Sequence, residues 1–378
     1  MGAMYKLRII TMQYKYALEC SIRPKELFDE LSKRGWEVHY IYVHKNIELD
    51  SFGHKVRKIP IYPRSLPYLI QTFFVMMWLN KKMKIDAIIT WSLLEAFVSV
   101  LFKSFSKNTK AIIFIRGDAI SVAEYSIKND VKRALYIHIL KVIERFVLKR
   151  ADRVVFLSNE NRKRIMERAK FNDINRTKVV YNNINTPRIE KLSKERAVNF
   201  GVNKKVIGFV GGISEEVKGL KYLIRAFYKV KQKIPNSLLV LVGDGPDKQK
   251  LISLAKSLNL ENDVIFTGFK ENPLQYMKGF DLMVLPSTSE AFGYVLLEAM
   301  YVGTPVIGSN VGGIPEVLKY DELLFEPRNI DKLVSKILNL LQSEEAYKKA
   351  LKLCEERKRA FIFDWGDEVT KAIEEVIR

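Results

Sequence analysis

The strongest constraint on the fold is the alternation of short apolar runs with helical segments along the chain. Residues 38–43, 111–115 and 237–242 are apolar runs of strand length, rich in β-branched residues. Helical segments lie between such runs, for example residues 219–233, where Pro235 ends the helix. Strands that alternate with helices form parallel sheets covered on both faces. The sequence therefore predicts an α/β fold.

The chain length predicts two domains. At 378 residues it exceeds the size of about 250–300 residues at which a single core stops growing. The alternation restarts at residues 206–210, after a polar stretch over residues 183–203. We therefore predict an N-terminal domain over residues 1–185 and a C-terminal domain over residues 186–360.

A glycine-rich loop follows the first strand of the predicted C-terminal domain. After residues 206–210 come Gly211 and Gly212, and then Lys218 directly before the next helix. Glycines let backbone N–H groups approach a diphosphate closely, and the amino end of a helix adds partial positive charge. Lys218 would supply a full charge to the same oxygens. A simple tight turn is the alternative interpretation of this loop.

A second glycine turn follows the next strand. Gly243 and Gly245 permit a sharp turn from strand to helix, and Pro246 suits the first helical turn. Taken alone, the turn is equally typical of an ordinary loop.

Two carboxylates lie where this sheet would bind a ligand. Glu290 and Glu298 are separated by seven residues, between the apolar strand 282–285 and the start of the strand 305–307. Glu290 is predicted in the loop at the carboxyl end of a strand, where ligands of open α/β sheets bind. Glu298 is predicted inside the following helix and, from its apolar neighbours, to be buried. A carboxylate is a pure hydrogen-bond acceptor, which suits paired hydroxyls.

This series of elements resembles the retaining glycosyltransferases of the family-4 type, whose signature is two glutamates with seven residues between them. The resemblance covers most of residues 206–318, including the turn at Gly312 and Gly313. It implies the GT-B architecture, an α/β fold with two facing Rossmann-like domains and an interdomain cleft. It also implies that the last helix, within residues 361–378, packs back on the N-terminal domain.

The resemblance also implies the role of each candidate residue. Glu298 accepts hydrogen bonds from the ribose, Glu290 contacts the transferred sugar, and Phe269 lies near the nucleobase. Lys218 grips the donor diphosphate and stabilises the charge that develops on the leaving group. The other donor-binding candidates are loop positions whose backbone approaches the donor: Gly211, Gly212, Gly243, Gly245, Ala291, Phe292, Gly293 and Tyr294.

The chain departs from the family pattern at several places, three of which bear on the candidate site. Gly212 occupies the position of an arginine that normally shares the diphosphate with the lysine. Residues 12–19 replace the glycine pair usually found after the first strand. Arg116 and Asp118 follow a strand where the family often has a histidine near the reacting sugar. Both are therefore catalytic candidates, with a plain strand-end turn as the alternative.

The positions of the cysteines and histidines indicate which metal sites, disulfides and cellular compartment to expect. Cys20 and Cys354 lie far apart, and the four histidines are scattered, so neither a disulfide framework nor metal-ligand spacing is indicated. The sequence has no Asp-x-Asp motif. We expect a metal-independent enzyme without a bound cofactor, a UDP- or GDP-sugar as co-substrate, and a reducing, cytoplasmic location.

The basic charge is concentrated in the first half of the chain. Residues 1–185 contain 34 Lys and Arg against 17 Asp and Glu, whereas residues 186–378 contain 29 against 26. Such a field favours an anionic partner, with a lysine-rich solvated surface as the alternative interpretation. Residues 66–79 are apolar but too short to span a bilayer. Residues 131–150 predict an amphipathic basic helix of the kind that lies on anionic membranes, or one that packs its apolar stripe on the sheet.

The resemblance implies a retaining hexosyltransferase that moves a sugar from a nucleotide-diphosphate donor to a glycan or lipid-linked acceptor. We expect it to be peripheral at the inner membrane face. A nucleotide-sugar 2-epimerase of the same architecture is one alternative, although its catalytic acids and histidine have no evident position here. A basic nucleic-acid-binding protein is another. It would not explain the glycine loops and paired glutamates, so we expect no nucleic-acid partner.

Overall fold

The chain forms two compact units in the computed structural model, which describes residues 7–13, 22–43, 56–61, 68–127 and 129–377. The first unit contains Met1–Tyr181 and Asp364–Arg378, and the second contains Asn182–Phe363. Residues 182–185 and 361–363 thus belong together in the second unit, whereas the sequence analysis assigned them to the first domain. Backbone pairing explains this: Ile184 N–H donates to Phe361 O at 2.7 Å.

The first unit is built on a sheet of seven parallel strands. The strands are β1 (Arg8–Gln13), β2 (Glu37–Val43), β3 (Val56–Ile61), β4 (Ala87–Thr90), β5 (Lys110–Ile115), β6 (Arg153–Phe156) and β7 (Thr177–Val179). Their order across the sheet is β3-β2-β1-β4-β5-β6-β7. All four residues of β4 are buried, as expected for a central strand covered on both faces.

Seven helices of the first unit lie among the described residues. Six of them are α1 (Ile22–Lys33), α2 (Tyr68–Lys82), α3 (Leu93–Lys103), α4 (Ala119–Ser126), α5 (Asp130–Arg150) and α6 (Asn159–Ala169). The seventh is the C-terminal helix, Trp365–Ile377, which packs against α1. Arg34, just after α1, reaches Asp367 of that helix at 2.6 Å. The C-terminal segment therefore has an anchored position within the first unit.

The second unit is built on a sheet of six parallel strands. The strands are β8 (Lys205–Val210), β9 (Ser237–Val242), β10 (Val264–Gly268), β11 (Leu282–Leu285), β12 (Val306–Ser309) and β13 (Leu324–Phe325). Their order is β10-β9-β8-β11-β12-β13. The chain begins in the middle of the sheet, builds one half outward and then crosses back to β11, so β8 and β11 flank the point where the strand order reverses.

The helices of the second unit separate these strands. They are α7 (Thr186–Ser193), α8 (Leu220–Lys233), α9 (Lys248–Ser257), α10 (Leu274–Met277), α11 (Tyr294–Tyr301), α12 (Ile314–Leu318), α13 (Ile330–Gln342) and α14 (Glu344–Ala360), and the C-terminal helix of the first unit is α15. Both units are thus parallel α/β sheets covered by helices. This confirms the predicted Rossmann-like fold of each domain.

Helix α8 illustrates how the sequence specifies the packing. Its apolar residues recur at spacings of three and four and are all buried, which is the pattern of a helix with one apolar stripe. They are Leu223, Ile224, Phe227 and Val230.

Among the residues that the structure describes, no helix is both long and apolar enough to cross a membrane.

Candidate functional site

Four loops of the second unit converge at one edge of its sheet. They follow β8, β9, β11 and β12 and cover residues 211–219, 243–247, 286–293 and 310–313. These strands are parallel neighbours, so their carboxyl ends lie side by side. The predicted donor-binding residues other than Phe269 and Glu298 lie within the first three loops or at the first residue of α11.

The loops after β8 and β9 are in direct backbone contact, and glycine permits it. A Cβ on Gly243 would overlap the carbonyl oxygen of Gly211, and a Cβ on Gly245 would overlap that of Ile213. The N–H group of Ile213 also donates to the carbonyl of Asp244 at 2.9 Å. The two glycine turns that the sequence analysis treated separately therefore form one structure.

The loops after β11 and β12 are joined in the same way. Gly312, at φ +56°, leaves no room for a Cβ against the carbonyl oxygen of Glu290. Gly313 donates its N–H to that same oxygen at 3.1 Å, and a Cβ on Gly313 would overlap the carbonyl oxygen of Ala291. The backbone at Glu290 is thus held from one side by a glycine pair.

Lys218 and Glu290 form an ion pair across the loops after β8 and β11. The lysine Nζ lies 2.6 Å from Oε2 of Glu290, and both side chains are partly buried. The hydroxyl of Ser287 donates to the same oxygen at 3.4 Å. Gly219, at φ +64°, lets the chain after Lys218 pass against the carbonyl of Pro286. The structure therefore brings together two residues that the sequence proposed separately.

Gly212 is the open position in this site. A Cβ built on it has no heavy atom within 4 Å, and the residue is exposed. The backbone would accept a side chain here, in contrast to Gly243 and Gly245. The missing arginine therefore does not follow from a lack of space.

Glu298 lies inside α11 and is 8% exposed, so its predicted burial is confirmed. Its Oε1 accepts a hydrogen bond from Nη1 of Arg188 at 2.9 Å. A second bond, from Tyr301 to Glu190 at 3.2 Å, joins the same two helices, α11 and α7. The sequence analysis missed Arg188 because no motif surrounds it and its partner lies far away in sequence.

The residues between the two glutamates have different environments. Phe292 is buried, and its ring meets that of Phe361 edge to face at 5.8 Å. Gly293, at φ +90°, is the N-cap of α11, and Tyr294 is the first residue of that helix. Phe269 follows β10 and is 67% exposed, so its ring is accessible to a ligand.

Arg116 lies at the carboxyl edge of the sheet in the first unit. Its guanidinium stands 5.8 Å from the ring centre of Trp91, which stacks on Phe114 at 4.6 Å. The Trp91 Nε1–H donates to Oγ1 of Thr11 at 3.2 Å. These residues come from β1, β5 and the end of β4, so Arg116 sits over an aromatic cluster at the strand ends.

Asp118 has a different set of contacts. It caps α4, is buried, and pairs with Arg164 at 2.9 Å and Arg168 at 2.8 Å. Arg168 also pairs with buried Glu144. Burial would raise the pKa of Asp118, but Arg168 and Arg164 bring it below its ordinary value, whereas burial dominates at Glu144 and raises its pKa. These contacts give Asp118 a structural role, and its catalytic role stays a prediction.

Two features named from the sequence lie outside the described residues. The segment over residues 12–19, which replaces the family's first glycine pair, is described only to Gln13, and Cys20 falls in the undescribed stretch that follows.

Cys354 lies in α14 and is buried, and burial raises the pKa of its thiol to about 11. It is therefore a core residue rather than a reactive thiolate.

Two family models match the chain. The model described as Glycosyltransferase Family 4 matches residues 24–188, and the model described as Glycosyl transferases group 1 matches residues 190–358. Together they cover most of both units. The protein is a glycosyltransferase, and the chain belongs to the family that these two models describe, as the sequence predicted.

Curated relatives agree with this assignment. An uncharacterized glycosyltransferase of Methanocaldococcus jannaschii is 31% identical over 222 residues, which are 58% of this chain and 52% of that protein. The match therefore spans about half the length of that relative. The N-acetyl-alpha-D-glucosaminyl L-malate synthase of Bacillus anthracis is 28% identical over 343 residues, with 85% of this chain and 84% of that protein covered.

Solved structures show the same fold. Sucrose-phosphate synthase from Thermosynechococcus elongatus matches with a TM-score of 0.79 at 21% identity, covering 98% of this chain and 99% of that chain. Anabaena HepE in complex with UDP-glucose matches with a TM-score of 0.73 at 17% identity, covering 98% and 100%. At these identities the likeness establishes the fold alone.

Proposed function

We propose that the protein is a retaining, metal-independent hexosyltransferase that uses a nucleotide-diphosphate sugar, a UDP- or GDP-sugar, as donor. The observation that carries the proposal is the Lys218–Glu290 pair, held by glycine contacts at the carboxyl edge of the second sheet. The complex of HepE with UDP-glucose supports a donor of this class.

Lys218 binds the donor diphosphate in this proposal. A bound diphosphate offers oxygens that compete with Glu290 for the lysine, and charge grows on them as the bond to the sugar breaks. A fixed cation in a partly buried site stabilises that charge without reorganising during the reaction. The amino end of α8 begins two residues after Lys218 and adds partial positive charge in the same place.

The two glutamates bind different parts of the donor in this proposal. Once Lys218 turns to the diphosphate, Glu290 can accept hydrogen bonds from the transferred sugar. Glu298 is buried and is held in place by Arg188, and we assign the ribose hydroxyls to this carboxylate because it is a pure hydrogen-bond acceptor. The exposed ring of Phe269 provides a stacking surface for the base.

The first unit takes the acceptor in this proposal. Arg116, at the carboxyl edge of its sheet, is the candidate for contact with the acceptor or the reacting sugar. Asp118 would act indirectly, because it anchors the loop after β5 to Arg164 and Arg168. The basic excess of residues 1–185 favours an anionic, lipid-linked acceptor or glycan at the inner face of a membrane.

Incubation of UDP- and GDP-sugars with glycan and lipid-linked acceptors in the presence of EDTA tests this function. We expect nucleotide release from one of them, and a product whose anomeric configuration equals that of the donor when measured by NMR. An inverted product would contradict retention, loss of activity in EDTA would contradict metal independence, and a 2-epimer would identify an epimerase instead.

Glu290→Gln tests the site itself. The change removes the charge and one acceptor that we assign to the transferred sugar, so we expect transfer to fall roughly 100-fold with the melting temperature unchanged. Glu322→Gln is the matched control, because Glu322 pairs with Lys349 on the surface of the same unit. Undiminished turnover in Glu290→Gln would remove Glu290 from the mechanism.

A further inference from the structure

An exposed apolar surface extends across three helices of the first unit. Its core is a groove of about 490 Å³ between α2 and α3, and the described residues that line it are all apolar, among them Phe73, Phe97 and Leu101. That volume lies within the range of ligand-binding pockets. On the far side of α3, the ring of Phe97 contacts Phe146 of α5 at 5.4 Å. The groove and α5 thus form one surface, which we name the α2–α5 face.

Helix α2 contributes aromatic side chains to this face. Ile70, Phe74 and Trp78 recur every four residues, so they form one line along the helix, and all three are exposed, Phe74 by 62%. The buried residues of the same helix lie on its opposite side. Phe105, just after α3, is 66% exposed and contacts Phe73 edge to face.

Helix α5 contributes a second exposed stripe. Val131, Leu135, Ile139 and Val142 share one side of the helix by their spacing and are exposed. Val147 and Leu148 are buried in the core cluster that contains residues of β5 and β6, and Leu140 is buried against α4. The sequence left open whether α5 packs on the sheet or lies on a membrane, and this helix has a separate apolar stripe for each.

Basic residues surround the apolar side chains. Residues 68–150 contain 14 Lys and Arg against six Asp and Glu, and three of those acids, Glu95, Asp118 and Glu144, are buried. Lys82 lies 4.1 Å from the ring centre of Trp78. The exposed basic side chains next to the two stripes are Lys81, Lys82, Lys84, Lys132, Lys141, Arg145 and Lys149.

We propose that the α2–α5 face enters the surface of an anionic phospholipid bilayer. Exposed apolar surface on this scale marks an interaction site. The surrounding lysines and arginines are complementary to lipid phosphates, and their long side chains can reach the headgroups while the apolar stripes contact acyl chains. This inference rests on the proposed lipid-linked acceptor, whose sugar-accepting end would be presented at such a surface.

Tryptophan fluorescence provides a direct measure of insertion. Of the four tryptophans, Trp36, Trp91 and Trp365 are buried, and Trp78 is 52% exposed on this face. Vesicles of phosphatidylglycerol and phosphatidylcholine with brominated acyl chains should therefore quench Trp78 selectively. We expect co-sedimentation and quenching with the anionic vesicles, and neither with pure phosphatidylcholine.

Two variants and two controls separate the apolar and ionic contributions. We expect Phe74→Ser to weaken vesicle binding roughly tenfold, and Lys141→Glu combined with Arg145→Glu to do the same and to reduce its salt sensitivity. Val202→Ser and Lys233→Glu change exposed residues of the second unit and should leave vesicle binding unchanged. Stabilisation by the donor nucleotide should survive in all four, which separates a failure here from a failure of the proposed function.

Three results would overturn the inference. Binding to anionic vesicles without quenching of Trp78 would show adsorption by charge alone. Equal loss of binding in Phe74→Ser and Val202→Ser would remove the α2–α5 face from the contact. Absence of vesicle binding at low salt, with self-association that Phe74→Ser abolishes, would identify this face as a protein interface instead.

Discussion

At the scale of single residues, Gly212 separates this chain from its family pattern. Gly212→Arg should fold normally, because a Cβ there has no neighbour within 4 Å and the residue does not adopt a positive φ. A charge-assisted hydrogen bond to the diphosphate would contribute about 2 kcal/mol, so we expect donor affinity to rise by more than tenfold in isothermal titration.

A matched change in the adjacent loop, which follows β9, controls for effects on folding. Gly245→Ala would place a Cβ against the carbonyl oxygen of Ile213, so we expect a lower melting temperature there. Unchanged or weaker donor binding by a well-folded Gly212→Arg variant would show that the diphosphate does not pass this position.

Arg188 is the second residue whose contacts lead to a specific prediction, here for donor binding. Arg188→Gln leaves Glu298 without the guanidinium that orients it at 2.9 Å. If the ribose is bound equally in the ground and transition states, KM for the donor should rise roughly tenfold while kcat stays unchanged. Steady-state kinetics over a range of donor concentrations measures this split.

Tyr301→Phe is the control for Arg188. It removes the other hydrogen bond between α11 and α7, that of Tyr301 to Glu190, without touching Glu298. An equal rise in KM for both variants would show that helix packing, rather than the orientation of Glu298, is responsible.

The site residues that we predicted from the sequence are those that stand in local motifs. Lys218, Glu290 and the glycines could be proposed because short-range spacing places them at strand ends. Arg188 could not, because its contact with Glu298 joins helices that are distant in sequence. The ion pair between Lys218 and Glu290 could not be predicted from the sequence either, because it depends on β8 and β11 being neighbours in the sheet.

At the scale of elements, a buried ionic cluster fixes the start of α4. Asp118→Ala removes a helix cap and the partner of Arg164 and Arg168, so we expect a loss of about 2 kcal/mol in the free energy of unfolding. All four tryptophans lie in the first unit, so their fluorescence during urea unfolding reports on it. Asp130→Ala, which breaks the exposed pair with Arg133, should change much less.

The pH dependence of that loss has a definite sign. The folded pKa of Asp118 lies below its ordinary value, so its contribution is present above the unfolded pKa of about 3.9 and is lost as the pH falls through the folded pKa. The raised pKa of Glu144 acts in the opposite direction. An Asp118→Ala difference that stays constant from pH 7 to pH 3 would contradict the ionic account.

The elements show where sequence patterns succeed and fail. The continuous apolar strand β9 was predicted with its observed bounds, because buried parallel strands are apolar throughout. Strand β3 was not predicted, because its sequence, VRKIPI, mixes charges with a proline. It lies at the edge of the sheet, where proline and charge are tolerated. The position of a strand at the edge depends on the order of all strands in the sheet, so it cannot be predicted from the sequence of that strand alone.

At the scale of the whole molecule, the chain combines a unit that we propose to bind the donor with a basic unit that carries a large apolar face. The second unit matches the family pattern in the order and spacing of its loops. The basic excess and the α2–α5 face lie in the first unit. We therefore expect changes in the first unit to alter acceptor and membrane use, and changes in the second to alter donor use.

The central claim is that the loops of the second unit bind a nucleotide-diphosphate sugar through Lys218. Isothermal titration of UDP- and GDP-sugars into the protein and into Lys218→Met tests it most directly. We predict saturable binding of at least one of these donors to the protein, and a loss of at least roughly tenfold in affinity on removal of the charge. No binding of any nucleotide sugar to the folded protein, or equal affinity of both proteins, would contradict the claim.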